Sequence, residues 1–228
     1  RHQVVRDLEL VRHIGAEAVD DRIVIQIPTA VQKAATEKLA ALGVDVGRPF
    51  LVFHAGVSEP RRAFPTDRWV ALAKRLLASQ NTQLLFTGKS AERQLTDYLE
   101  QTCGDHTFSV AGLLDIMEFA AVVQQAALVV SVNTATVHLA AATGTPCVVF
   151  YAQTNPQHTP WKNPHIIFPF SLPDGHAVSR NEVVRHVARQ LYRDKVPLPA
   201  LEDVLDAIES LLVKRCGGGQ LRHQVFFH

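Results

Sequence analysis

Five short apolar runs, at 49–54, 83–87, 107–110, 127–132 and 146–151, constrain this chain more than any other feature. In all but the third, Thr107-Phe108-Ser109-Val110, apolar residues follow one another with almost no alternation, as in Leu128-Val129-Val130 and Val148-Val149-Phe150. A strand that is apolar on both faces is covered on both faces, which is the condition of a parallel sheet with helices on either side. The stretches between the runs have helical spacing. Trp69, Val70, Ala73, Leu76 and Leu77 share one face of a helix that Thr66 or Asp67 would cap. A second helix is expected from about residue 91 to 102. Asp115 and Glu118 form a capping-box pattern that opens a third, with Phe119, Val122 and Val123 inward. Short side chains fill a fourth at 134–143. Strand–helix alternation with right-handed crossovers predicts a doubly wound, Rossmann-like α/β sheet.

Further helices flank this unit. Val4, Val5, Leu8, Val11 and Ile14 have helical spacing, with Gly15 as a stop, and another helix is expected over about 29–42, ending at Gly43. Helices are also expected at about 179–192 and 200–214, the latter with Leu201, Val204, Leu205, Ile208, Leu211 and Leu212 on one face. Cys216 and Gly217 to Gly219 lead into a tail that reads as flexible.

Net charge is +1, from 23 basic and 22 acidic residues, so no nucleic-acid partner is expected and membrane association would be peripheral at most. The 3 cysteines form no CxxC pair, which argues against a disulfide framework or a zinc site and for a reducing compartment. No apolar run approaches the roughly 20 residues of a membrane span.

Ligands of open α/β sheets bind beyond the carboxyl ends of the strands. Those ends here are His54-Ala55-Gly56, Thr87-Gly88, Ala111-Gly112, Asn133-Thr134 and Ala152-Gln153-Thr154. The loop from 54 to 65 adds Ser58, Arg61 and Arg62. Guanidinium groups bind phosphate oxygens through paired hydrogen bonds, although an Arg-Arg pair in a loop also reads as a solvated basic patch. After the fourth run a helix begins at once. Its free N–H groups form an anion site, to which Thr134 or Thr136 can add a hydroxyl. His138, in the first turn, reaches the same place or packs under the sheet rim.

In their order and spacing these motifs resemble glycosyltransferase family 9, the heptosyltransferase family. His54-Ala55-Gly56 followed by Arg61-Arg62-Ala63-Phe64-Pro65 is similar to the family's PGA…KRWP stretch. Asn133 to Ala142, with Gly144-Thr145-Pro146 after it, resembles D-[ST]-G-x-x-H-x-A-A-A…P, and Thr154-Asn155-Pro156 resembles a GPTDP turn. The resemblance covers about residues 48–170. It implies a GT-B fold of two Rossmann-like domains, of which this chain carries the C-terminal, donor-binding one. By the same resemblance Ser58 and Arg62 contact the donor diphosphate, Glu92 holds the ribose hydroxyls, and Thr134, Ala135 and His138 form the phosphate-binding helix start. His54, Ala55, Gly56, Arg61, Gly88 and Asn133 complete the candidate site. The sequence departs from the pattern at His54 for Pro, Asn133 for Asp and Ala135 for Gly. Trp161 would either line the donor pocket or close the core.

The implied organisation is 1–47 as the end of an N-terminal domain plus linker, 48–215 as the donor domain, and 216–228 as tail. The implied reaction is inverting transfer of a sugar from a nucleotide diphosphate, usually ADP-linked heptose, to a lipopolysaccharide (lipid A–core) or other glycan acceptor. The general base would be a carboxylate of the other domain, so this chain alone is expected to bind donor without transferring sugar. No cofactor and no metal are expected, since no DxD pair or ligand cluster is present. The expected location is the cytoplasm, at most at the inner face of the inner membrane. Asn133 and Ala135 also suit a non-catalytic nucleotide-sugar-binding or scaffold protein, and an epimerase of related fold fits less well.

Overall fold

The computed structural model describes residues 2–79, 81–152, 158–171, 182, 185–186 and 194–217. Six parallel strands form one sheet: β1 (Phe50–His54), β2 (Gln83–Phe86), β3 (Thr107–Ser109), β4 (Leu128–Val132), β5 (Cys147–Ala152) and β6 (His165–Phe170). Their spatial order is β3-β2-β1-β4-β5-β6. That is the doubly wound Rossmann order, in which the direction of winding reverses between β1 and β4.

The helices are α1 (Gln3–Arg12), α2 (Thr29–Ala41), α3 (Thr66–Ser79), α4 (Arg93–Cys103), α5 (Ile116–Gln125), α6 (Ala135–Thr143) and α7 (Leu201–Gly217). They bury the sheet from both sides. Leu51 and Phe53 of β1 face a core completed by α3, α4 and α7, whereas Phe50 and Val52 face one completed by α2, α5 and α6. Period-two alternation on a strand thus feeds two apolar cores, which is why the strand sequences are apolar throughout. In the first core Phe64 stacks flat on Phe150, with ring centroids 3.9 Å apart. Trp69 stands edge-on to Phe53 and Phe150, at 5.5 and 5.2 Å.

Local chemistry accounts for the helix ends. Asp115 accepts from the N–H groups of Met117 and Glu118, both at 2.8 Å, and Glu118 returns the bond to Asp115 N–H at 2.9 Å. Glu118 also takes Lys38 of α2 at 2.7 Å, tying α2 to α5. The Lys38 bond, and then the Asp115 N–H, hold the Glu118 carboxyl below its ordinary pKa. Gly144 closes α6 at φ 71°, a left-handed C-cap that favours glycine.

Several expectations need adjustment. Thr66 does not cap α3; it is the first helical residue, and Arg68 and Trp69 donate to the carbonyl of Pro65. The helix expected from about 91 begins with a 3-10 turn, Ser90–Glu92, before α4. β6 has no counterpart in the sequence reading. Ala35, Leu39 and Val44, on the linker side of the expected boundary at 47, lie in the same core as β1. α1 is where its spacing places it but buries no residue, and Leu10, Ile14, Val19 and Val24 stay exposed. Trp161 takes neither expected role. It stacks on His2 at 4.4 Å and donates to the carbonyl of Asp21 at 2.7 Å, clamping the amino-terminal segment to the sheet domain. The helix expected at 179–192, apart from residues 182, 185 and 186, lies outside the described residues, as do Gln153, the Thr154-Asn155-Pro156 turn and the tail beyond 217. No helix among the described residues is long and apolar enough to cross a membrane.

Candidate functional site

A cleft of about 930 Å³ opens along the carboxyl ends of β1, β2, β3 and β4, over the point where the winding reverses. This is the position at which open α/β sheets take their ligands. Of the sequence-derived candidates, His54, Gly56, Ser58, Arg62, Gly88, Glu92, Asn133, Thr134, Ala135 and His138 all line it. Ala55 does not: its methyl is buried in the core beside α3. Successive residues of an extended chain point to opposite sides, so His54 and Gly56 facing the cleft turn Ala55 inward. The Arg61 side chain lies outside the described residues.

Arg62 is fixed by its neighbours. The 3-10 turn Pro60–Arg62 carries it, and its Nη2 donates to the carbonyl of Asn133 at 2.5 Å. Its Nη1 is 3.8 Å from a Glu59 carboxylate oxygen. The Asn133 bond places a permanent cation next to the start of α6. Thr134 occupies the N-cap position of that helix, but its side chain does not cap it. Val137 N–H donates to the Thr134 carbonyl at 3.2 Å, so the N–H groups of Ala135 and Thr136 and the positive end of the helix dipole are what the helix start presents to the cleft beside Arg62.

Across the cleft, Glu92 belongs to the 3-10 turn after β2, and the Lys89 N–H donates to its carboxylate at 2.7 Å. A Cβ on Gly56 would overlap that carboxylate, and one on Gly88 would come within 2.9 Å of Oε2. The two glycines of the rim thus leave the space in which Glu92 sits.

His54 ends β1. Its Nδ1 lies 2.9 Å from Thr87 Oγ1, and its ring is 5.9 Å from that of Phe119. Burial, and then the charge of Lys89, lower its pKa to about 4, so it is a neutral hydrogen-bonding group at neutral pH. His138 is 6.2 Å, ring to ring, from His158, which also lines the cleft. Burial, then His158 and His2, lower the His138 pKa as well.

The sequence reading missed the apolar half of the cleft, formed by Val110, Leu114, Ile116 and Phe119, and also Lys89, Ser90 and His158. An apolar side chain facing a ligand cleft has the same periodicity as one facing a core. The exposure of Ile116, 61%, marks the difference only once the fold is known. Among the described residues no group of three or more His, Cys, Asp or Glu is arranged to hold a metal ion.

Parallel order, two-sided helical cover and a cleft at the reversal point define a Rossmann-like α/β domain of the kind that builds GT-B glycosyltransferases. The model of glycosyltransferase family 9 (heptosyltransferase) matches residues 1–188, and the chain belongs to that family. It is similar to lipopolysaccharide heptosyltransferase 1 of Pseudomonas aeruginosa, 29% identical over 152 residues, which are 67% of this chain and 41% of that protein. Among solved structures, a glycosyl transferase family 9 protein from Veillonella parvula superposes with a TM-score of 0.75 at 18% identity, covering 94% of this chain and 60% of the other. E. coli ADP-heptose lps heptosyltransferase II superposes with a TM-score of 0.61 at 17% identity, covering 84% and 54%. At these identities the structural likenesses establish the fold. The chain spans less than two thirds of the length of each of these relatives.

Proposed function

We propose that this chain is the donor-binding half of a glycosyltransferase and holds a nucleotide-diphosphate sugar, ADP-linked heptose or a close analogue, in the cleft over β1 and β4. The observation that carries the reading is the Arg62 guanidinium bonded to the Asn133 carbonyl beside the uncapped start of α6. Together they form a preorganised anion site on the scale of a diphosphate. Ser58 and Thr134 supply hydroxyls at its margin. Glu92, an acceptor-only group, takes the ribose hydroxyls, and Val110, Leu114, Ile116 and Phe119 take the face of the base. In the transfer, negative charge grows on the leaving diphosphate as the anomeric bond breaks. Donors already aimed at that charge lower the barrier without reorganising. In this reading no cofactor or metal takes part. The acceptor, a lipopolysaccharide core or related glycan at the cytoplasmic face of the inner membrane, and the carboxylate base that inverts the anomeric centre belong to a second domain.

The relatives' names support a heptosyl donor, and the family membership supports glycosyl transfer. Asn133 and Ala135, where the family pattern has Asp and Gly, favour a second reading, in which the same site binds a nucleotide sugar without turnover. A melting screen with ADP, UDP and GDP tests what both share. A ligand bound only by the folded chain raises its melting temperature in proportion to the logarithm of its concentration. ADP is expected to give the largest rise, and no rise with any of the three overturns both readings.

A further inference from the structure

His54 lines the cleft, and the donor reading gives its ring nitrogens no role. His54 stands where the family pattern quoted above has proline. Period-two alternation along β1 puts it on the side of Phe50 and Val52, toward Phe119 of α5. Its Nδ1 is engaged by Thr87 at 2.9 Å. Thr87 Oγ1 also reaches the carbonyl of Phe53, to which it donates at 3.5 Å. A hydroxyl can accept from Nδ1–H or donate to Nδ1, so the bond to Thr87 is coupled to the tautomer and sets whether Nε2 accepts or donates. Among the described residues Nε2 has no hydrogen-bond partner, and it is not one of the buried atoms sealed off without one. It is a polar atom open to the cleft, on a ring that continues the apolar wall of Leu114, Ile116 and Phe119.

We propose that His54 is a specificity residue: its Nε2 pairs with the complementary polar group on the edge of the donor's nucleobase, while the base's face lies against Phe119 and its apolar neighbours. This rests on the donor-site reading. A polar reader in an otherwise apolar slot discriminates strongly, because the wrong base edge leaves the covered nitrogen unpaired. Thr87 acts through His54 as a positioning residue, since its hydroxyl selects the tautomer.

The test is the set of dissociation constants for ADP, GDP, UDP and inorganic pyrophosphate on the wild-type chain and on His54→Phe, which keeps a ring of similar shape without the ring nitrogens. The best nucleotide is expected to weaken about tenfold, the ratio between best and worst nucleotide to shrink, and pyrophosphate to change less than about twofold. Thr87→Val, which leaves the ring but frees its tautomer, is expected to shrink the same ratio and covers the case in which His54→Phe does not fold. An unchanged ratio in the folded variants, or an equal loss for pyrophosphate, overturns the specificity role and leaves the donor site standing. Failure of the wild-type chain to bind any nucleotide overturns the donor site itself.

Discussion

The Glu92 carboxylate lies in the space that a side chain on Gly56 would fill. The end of β1 and the turn after β2 are therefore packed through a missing Cβ, and the position of a charged cleft residue depends on a glycine. Gly56→Ala is expected to displace Glu92 while leaving the sheet intact, because Gly56 has no positive φ to be strained. ADP affinity should fall about tenfold or more with only a modest loss of stability. A calorimetric titration beside a thermal melt separates the two. If Gly56→Ala binds ADP as the wild type does, Glu92 is not a ribose ligand.

Arg62 is opposed within the cleft by Glu59, 3.8 Å away. A neighbouring carboxylate competes with an incoming anion, although exposure weakens the effect. Glu59→Gln should tighten ADP about twofold to fivefold at low ionic strength, with a smaller gain at 0.15 M salt, where the screening length is about 8 Å. A salt series of dissociation constants measures this. Weaker binding in Glu59→Gln would mean that the carboxylate positions Arg62 and does not oppose the ligand.

His54 couples stability to pH. Its folded pKa of about 4 lies below the ordinary histidine value near 6.5, so between those limits the unfolded chain binds more protons. The contribution is complete above pH 6.5 and is lost as pH falls toward 4, up to about 3 kcal/mol at about 1.4 kcal/mol per unit. His138, also lowered, adds in the same direction. Denaturation at pH 7.5 and pH 5 should show the loss, and His54→Phe should reduce it. An undiminished loss in that variant would assign it to other groups.

Burial should make the thiol of Cys147 unreactive. It is completely buried, and burial raises its pKa to about 12, partly offset by Asn163. Alkylation of the native chain at pH 8 should spare Cys147 and label it only on unfolding. In the core beside β1, Trp69→Ala should cost about 3–5 kcal/mol by emptying the aromatic cluster. Trp69→Phe should cost clearly less, since the indole N–H is buried without a hydrogen-bond partner among the described residues. Chemical denaturation compares the two variants.

What could be read from the sequence follows from burial. β1, β2, β4 and β5 show themselves because both faces are covered, so Leu51 and Val52 are equally apolar. β6 was not legible because, among the described residues, it has a strand neighbour only on its β5 side. His165 and Pro169 are exposed, Ile166 to Phe168 are half-buried, and an edge tolerates the missing N–H of Pro169. The polar half of the cleft was legible because guanidinium groups and helix starts at strand ends suit an anion, and Arg62 and Thr134 stand there, whereas Glu92 came from the family resemblance alone. The apolar half was not, since Phe119 reads as one more inward residue of α5. Trp161 was also misplaced, because its partners His2 and Asp21 lie more than a hundred residues away along the chain.

The proposed diphosphate site stands on Arg62 and the start of α6, and isothermal titration of ADP into the wild-type chain and into Arg62→Ala tests it most directly. The wild type should show saturable one-to-one binding, weakened about tenfold or more in the variant, the worth of one charge-assisted hydrogen-bonding group. Equal affinity of the two proteins for ADP, or no binding by the wild type at millimolar nucleotide, would contradict it.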